Sequence, residues 1–259
     1  MNNILTVGSY NDLPQVSRPG FAARLRELGF RAVVFHEGLY AGGHVPGHLG
    51  YEFAQDANVR IAINAMRADD MPCCVYMHPH GMMRKAHMHW MDVIDEAHRL
   101  REEYGFDGLY LDGLPPVSSH GAADMVRAVA GDANPFIVHA SEYYRADAPH
   151  AGLRAGLAYA SYILVGEHEK NPVPENTSCG AWESYKCTVP WANWLYKPGN
   201  HTRPHQWRLD KPEGKDWYPI DWHHLVPALK CNGWGAWVGI DDLDAFEAAV
   251  AAMEVDDGD

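Results

Sequence analysis

The sequence contains no run of about 18 apolar residues, so nothing in it reads as a membrane-spanning helix. It also lacks an excess of positive charge. Lys and Arg number 21 against 34 Asp and Glu, a formal net charge of −13. Neither nucleic acid nor an anionic membrane surface is therefore an expected partner. The amino-terminal residues Met1-Asn2-Asn3-Ile4-Leu5 show no basic segment leading into an apolar one. No secretory leader is read there, and a cytoplasmic location is expected. Cysteine is scarce: Cys73, Cys74, Cys179, Cys187 and Cys231 form an odd set without a framework spacing. Cys73 and Cys74 sit in an apolar run and read as buried thiols, while Cys179 and Cys187 are close enough in sequence to bridge one loop. A G-x-S-x-G elbow and a phosphate-binding loop are missing as well. Gly233, Gly235 and Gly239 precede or lie in a strand instead of opening a helix, so no cofactor is expected.

What is present is a regular alternation. Hydrophobic residues make up 47% of 259 residues, enough for one large domain with a sizeable core. Short apolar runs alternate with amphipathic stretches, the pattern of repeated βα units around a parallel sheet. Strands are expected at Ile4–Ser9, Ala32–His36, Cys73–His78, Gly108–Asp112, Phe136–Ala140, Tyr162–Gly166, Trp191–Tyr196 and Gly235–Ile240. Helices are expected near Phe21–Leu28, Ala54–Arg67, Met88–Tyr104, Ala122–Ala130, Gly152–Ala158, Trp222–Cys231 and Leu243–Met253. Residues 168–220 are less regular and read as a loop-rich insertion. Eight strands in this order predict one (β/α)8 barrel spanning residues 1–259.

In such barrels the chemistry sits at the carboxyl ends of the strands. That rule alone selects Tyr10, His36 with Glu37, His78 with His80, Asp112, His139 with Glu142, Glu167 with His168, Tyr196 with Lys197, and Asp241. Two carboxylates end otherwise apolar strands, Asp112 after Gly108-Leu109-Tyr110-Leu111 and Glu167 after Tyr162-Ile163-Leu164-Val165-Gly166. A carboxylate beside an apolar core is costly unless it is paired or used. The bland readings are a turn cap for Asp112 and a surface glutamate for Glu167. Alternation puts Tyr110 on the face of Asp112. Strands four and six are one strand apart, so the two carboxyls are expected to face each other at roughly 5 to 9 Å, the range that serves glycosidic bonds.

The segment Tyr104–Gly113, Y-G-F-D-G-L-Y-L-D-G, resembles the fourth-strand nucleophile segment of retaining glycosidase barrels related to α-galactosidases. Val33-Val34-Phe35-His36-Glu37-Gly38 is similar to the second strand of uncharacterised bacterial barrels of that kind, and Tyr159 to Glu167 to their sixth. The resemblance implies a glycoside hydrolase acting on a carbohydrate, with Asp112 as nucleophile and Glu167 as general acid/base. It departs from the α-galactosidase lineage, which usually carries aspartate at the sixth-strand position.

Nine tryptophans and thirteen tyrosines fit a carbohydrate site, since flat aromatic faces suit sugar rings. Six of the tryptophans lie between residues 182 and 222, in and just after the irregular segment, where packing of the long loop is an equal reading. Trp237, on the eighth strand, joins Tyr10, His36, Glu37, His78, His80, Tyr110, His139, Glu142, Tyr196 and Lys197 as a residue expected to meet substrate. Sixteen histidines support an alternative, a metal-dependent amidohydrolase-like barrel built on His78-Pro79-His80, His139, His168 and the terminal Asp241. Against it, the H-x-H pair lies on strand three instead of strand one, and Asp112 stands where a bridging lysine would be. A third alternative is a sugar-binding barrel without catalysis.

Overall fold

A computed structural model describes residues 1–43, 50–84, 86–112, 119–139, 160–165, 187–190, 222–231 and 235–256. Eight strands close into one barrel in sequence order. They are β1 Asn3–Val7, β2 Phe30–Phe35, β3 Cys73–Met77, β4 Gly108–Leu111, β5 Phe136–His139, β6 Tyr162–Val165, β7 Cys187–Pro190 and β8 Gly235–Gly239. The helices are α1 Leu13–Val16, α2 Phe21–Glu27, α3 Asp56–Ala68, α4 Pro79–Arg84, α5 Trp90–Tyr104, α6 Ser119–Ala130, α7 Trp222–Cys231 and α8 Leu243–Asp256.

The barrel departs from the expected pattern at one strand. β7 is Cys187–Pro190 and pairs antiparallel with both β6 and β8, whereas every other neighbouring pair is parallel. The seventh strand expected at Trp191–Tyr196, and the helix expected at Gly152–Ala158, lie outside the described residues. The uniformly parallel barrel is thus corrected to seven parallel strands and one reversed strand. Two antiparallel neighbours can be joined without a crossover helix, which removes the demand for a βα unit at that point.

Helix faces follow the sequence pattern. α3 buries Val59, Ala62, Ile63 and Met66, and α5 buries Val93, Ile94, Ala97 and Leu100, spacings of three and four that put one stripe against the sheet. His89 caps α5: its ring accepts from Met91 N, and Asp92 closes the capping box on His89 N at 2.6 Å. The helix ends at Gly105, in the left-handed conformation at φ 78°. Cys73 and Cys74 are buried thiols, and burial pushes both well above the ordinary cysteine range.

One buried carboxylate organises the route from β2 to α3. Glu96 on α5 accepts from Tyr51 N at 2.7 Å and takes a two-point contact from Arg99 at 2.7 and 2.8 Å. Gly50, at φ 96°, leaves the space this carboxylate fills; a Cβ there would meet Glu96 Oε1 at 2.6 Å. The clamp fixes Tyr51, whose hydroxyl accepts from His78 N at 3.0 Å. A distant ion pair thereby sets the end of β3. Asp107, at the opposite end of β4, accepts from Cys73 N at 3.0 Å and faces Arg67 at 3.4 Å, a structural role on the face away from the strand ends.

Candidate functional site

Strand register builds the site. Tyr76 on β3 pairs with Tyr110 on β4, so two tyrosines two residues short of His78 and Asp112 stand side by side. Their rings are 5.7 Å apart, and Tyr110 packs on Trp237 of β8 at 4.9 Å. His36 lies over this group, 4.6 Å from Tyr76, 5.8 Å from Tyr110 and 6.4 Å from Trp237. These four rings fill the barrel interior just beneath the carboxyl ends of β2, β3, β4 and β8.

The polar groups above them are held by the last rungs of the ladder. His36 N donates to Val7 O at 2.9 Å, and Asp112 N donates to Met77 O at 2.8 Å. Asp112 Oδ1 meets His139 Nδ1 at 2.8 Å, and His139 itself is buried. Tyr76 Oη lies 3.0 Å from Glu37 Oε2 and 3.3 Å from Asp112 Oδ2, so one phenol stands between two carboxylates from different strands. Burial, then the charges of Asp112 and Glu37, push the Tyr76 phenol far above its ordinary range, so it stays neutral and retains its proton.

Glu37 opens the short turn Glu37–Leu39 after β2. That turn is pinned on several sides. A Cβ on Gly38 would collide with the carbonyl of Gly8, Tyr40 Oη donates to Tyr76 O at 2.7 Å, and Ala41 N donates to Glu52 O at 2.8 Å. Tyr10 reaches the same loop. Its hydroxyl donates to Leu39 O and accepts from Ala54 N at 2.7 Å, so it ties backbone together at the mouth.

The structure therefore brings together His36, Glu37, Tyr110, Asp112, His139 and Trp237 around one interior group. Tyr10 lies on its rim as a backbone clamp. His78 and His80 stand next to each other beyond β3, with ring centroids 6.3 Å apart. Glu142, Glu167, Tyr196 and Lys197 lie outside the described residues, as does the Asp112–Glu167 gap. Tyr76, which lies between the two carboxylates, is a candidate that strand ends alone do not select.

The histidine alternative meets a chemical obstacle at His78. Gly81 N donates to His78 Nδ1 at 2.7 Å, so Nδ1 offers its lone pair there and Nε2 carries the ring proton. A metal on Nε2 would need the opposite tautomer, with two N–H groups facing each other. Such a ring suits donation to an oxygen acceptor such as a hydroxyl. Among the described residues, no group of three or more His, Cys, Asp or Glu is placed to hold an ion. His89 uses its ring to cap α5.

No protein-family model matches the chain, and no curated protein matches it by sequence. Solved structures do. A maltogenic α-amylase from Thermotoga neapolitana superposes at a TM-score of 0.38 with 11% identity, over 53% of this chain and 45% of that one. An α-amylase from Geobacillus thermoleovorans, complexed with acarbose, gives 0.36 with 15% identity, over 56% and 49%. A broad-specificity endoglucanase from an uncultured bacterium gives 0.37 with 14% identity, over 70% and 68%. The match thus spans about half the length of either amylase. The barrel itself rests on the strand pairing of this chain. Among the described residues, no helix is long and apolar enough to cross a membrane.

Proposed function

We propose that this barrel is a carbohydrate-directed hydrolase that cleaves glycosidic bonds with two carboxyl groups, Asp112 being the one that attacks the anomeric carbon. The observation that supports this reading is the setting of Asp112. It ends β4 above a floor of four rings, with His139 on one oxygen and the neutral Tyr76 phenol on the other. Contacts on both oxygens fix the direction of the carboxylate, one need of a nucleophile. Tyr76, Tyr110 and Trp237 form a buried apolar floor, while the partly exposed His36 and His78 offer ring face and polar contacts for hydroxyls. The resemblance of Tyr104–Gly113 to the nucleophile strand of retaining glycosidases points the same way.

The same resemblance implies Glu167 as general acid/base. A location in the cytoplasm and action without a cofactor belong to this proposal.

The test is a screen of nitrophenyl glycosides with the intact protein and with Asp112→Asn and Asp112→Ala. Turnover of at least one glycoside is expected in the wild type, falling by roughly 10³-fold or more in both variants with the fold retained. Full activity in Asp112→Ala sinks the glycosidase reading. Stoichiometric metal in the purified protein, with activity lost on chelation, would move the function to the histidines.

A further inference from the structure

We infer that Tyr40 and Tyr51 are positioning residues for this site: their hydroxyls support the edge of β3 past its last pairing with β2 and so set the direction of Tyr76 and His78. This rests on the glycosidase reading and adds to it two buried tyrosines from the β2–α3 connection.

Strand register locates the support. The last registered pair of β2 and β3 is Phe35 with Val75. In a continued parallel ladder Glu37 would stand opposite Met77, its N–H on Tyr76 O and its carbonyl on His78 N. The chain has entered its turn by then, and Glu37 O accepts from Tyr40 N at 3.0 Å. Two side chains reach the same edge of β3. Tyr40 Oη donates to Tyr76 O at 2.7 Å, and His78 N donates to Tyr51 Oη at 3.0 Å. On the opposite edge Asp112 N donates to Met77 O at 2.8 Å. The end of β3 is therefore gripped from both sides, by phenols on one and by the backbone of β4 on the other.

One clasp delivers both phenols. Tyr40 and Phe53 form an antiparallel bridge, Ala41 N donates to Glu52 O at 2.8 Å, and the rings of Tyr40 and Tyr51 pack 4.4 Å apart. Both tyrosines are buried. The backbone of Tyr51 is anchored to α5 in two places: its N donates to Glu96 Oε1 at 2.7 Å, and its O accepts from Arg99 Nη2 at 2.7 Å. Phenylalanine would fill such a core equally well. The hydroxyls are called for by the buried backbone groups at the strand end.

The residues so held are those that face the site. Tyr76 Oη lies 3.3 Å from Asp112 Oδ2 and 3.0 Å from Glu37 Oε2, and the His78 ring stands beside His80 beyond the strand. Removing the Tyr40 hydroxyl loosens the residue that touches the attacking carboxylate. Removing the Tyr51 hydroxyl loosens the residue that offers contacts to sugar hydroxyls. The first should disturb chemistry and the second binding, since a misplacement of about 1 Å in an active site can cost on the order of 10²-fold in rate.

Steady-state kinetics of the full chain test this, with Tyr40→Phe and Tyr51→Phe on the nitrophenyl glycoside that the wild type cleaves fastest. In Tyr40→Phe, kcat should fall by about 10- to 100-fold with KM within about threefold of wild type. In Tyr51→Phe, KM should rise by about three- to tenfold, and the His78 amide should exchange its hydrogen faster. Asn3→Ala is the control, because that side chain accepts from Ala236 N at 2.9 Å and so joins β1 to β8 away from the clasp. It should keep wild-type kcat and KM per folded molecule even with a larger drop in melting temperature. Should one Phe variant not fold, the other decides. Wild-type kcat and KM in the Phe variants, with Asp112→Asn inactive, overturn the positioning role and leave the glycosidase reading standing. Losses no greater than those of Asn3→Ala at an equal drop in melting temperature overturn it as well. A wild type that cleaves none of the panel overturns both.

Discussion

A residue at a barrel mouth is held by what touches its second atom. Asp112 shows this: one oxygen faces Tyr76 and the other His139. His139→Ala removes a buried ring and the contact at Oδ1 together. A hydrogen bond to a charged group contributes about 1.5–3 kcal/mol, so turnover of any accepted glycoside should fall about 10- to 100-fold. The fold should persist, because the ring sits at the end of β5 and not within the packed stripe of a helix. Circular dichroism melts beside kcat/KM check it; loss of the folded signal with unchanged affinity for a bound sugar would make His139 a core residue. Asp112 and His139 were legible in the sequence because each ends an apolar strand, where a polar group calls for a reason. Tyr76 was not, because a tyrosine inside Cys73-Cys74-Val75-Tyr76-Met77 reads as core until the register places it beside Tyr110. Its polar tip has meaning only once two strands are laid side by side.

At the scale of elements, seven strands were visible as apolar runs, and their observed bounds differ from expectation by one or two residues. The seventh was not. Cys187-Thr188-Val189-Pro190 is a four-residue strand ended by proline inside a stretch rich in Pro, Trp, Asn and Gly, and period-two alternation reads the same in either chain direction. Nothing local could reveal that it runs backwards. The turn after β2 illustrates the opposite case, where an element is fixed by a neighbour. Gly38 lies with its α-carbon against the carbonyl of Gly8 in the turn after β1. Gly38→Ala must push these two turns apart, and Glu37 is the adjoining residue. That variant should lose activity by more than about tenfold while its melting temperature drops only a few degrees, since the displaced backbone lies at the mouth and not in the core. An Ala variant with wild-type kcat/KM would show that Glu37 needs no such exact placement.

For the whole molecule the critical act is closure. β1 and β8 come from opposite ends of the sequence and share only a short register, Ile4 to Thr6 against Trp237 to Gly239. Asn3 reinforces it. Fully buried, its side chain accepts from Ala236 N at 2.9 Å and donates to Leu28 O at 2.8 Å, so one amide joins β8, β1 and the turn entering β2. The outer layer repeats the join, with Arg24 on α2 paired to Asp244 and Glu247 on α8, but these side chains are partly exposed and contribute little. Asn3 carries more because both of its backbone partners would be left short of a hydrogen bond in a place water reaches poorly. Asn3→Ala should therefore lower unfolding free energy by about 2–4 kcal/mol, against under about 1 kcal/mol for Arg24→Ala. Urea unfolding followed by circular dichroism measures both. Equal and small effects would mean that the barrel is closed by its apolar layers alone; a larger loss in Arg24→Ala would move the clasp to the helices.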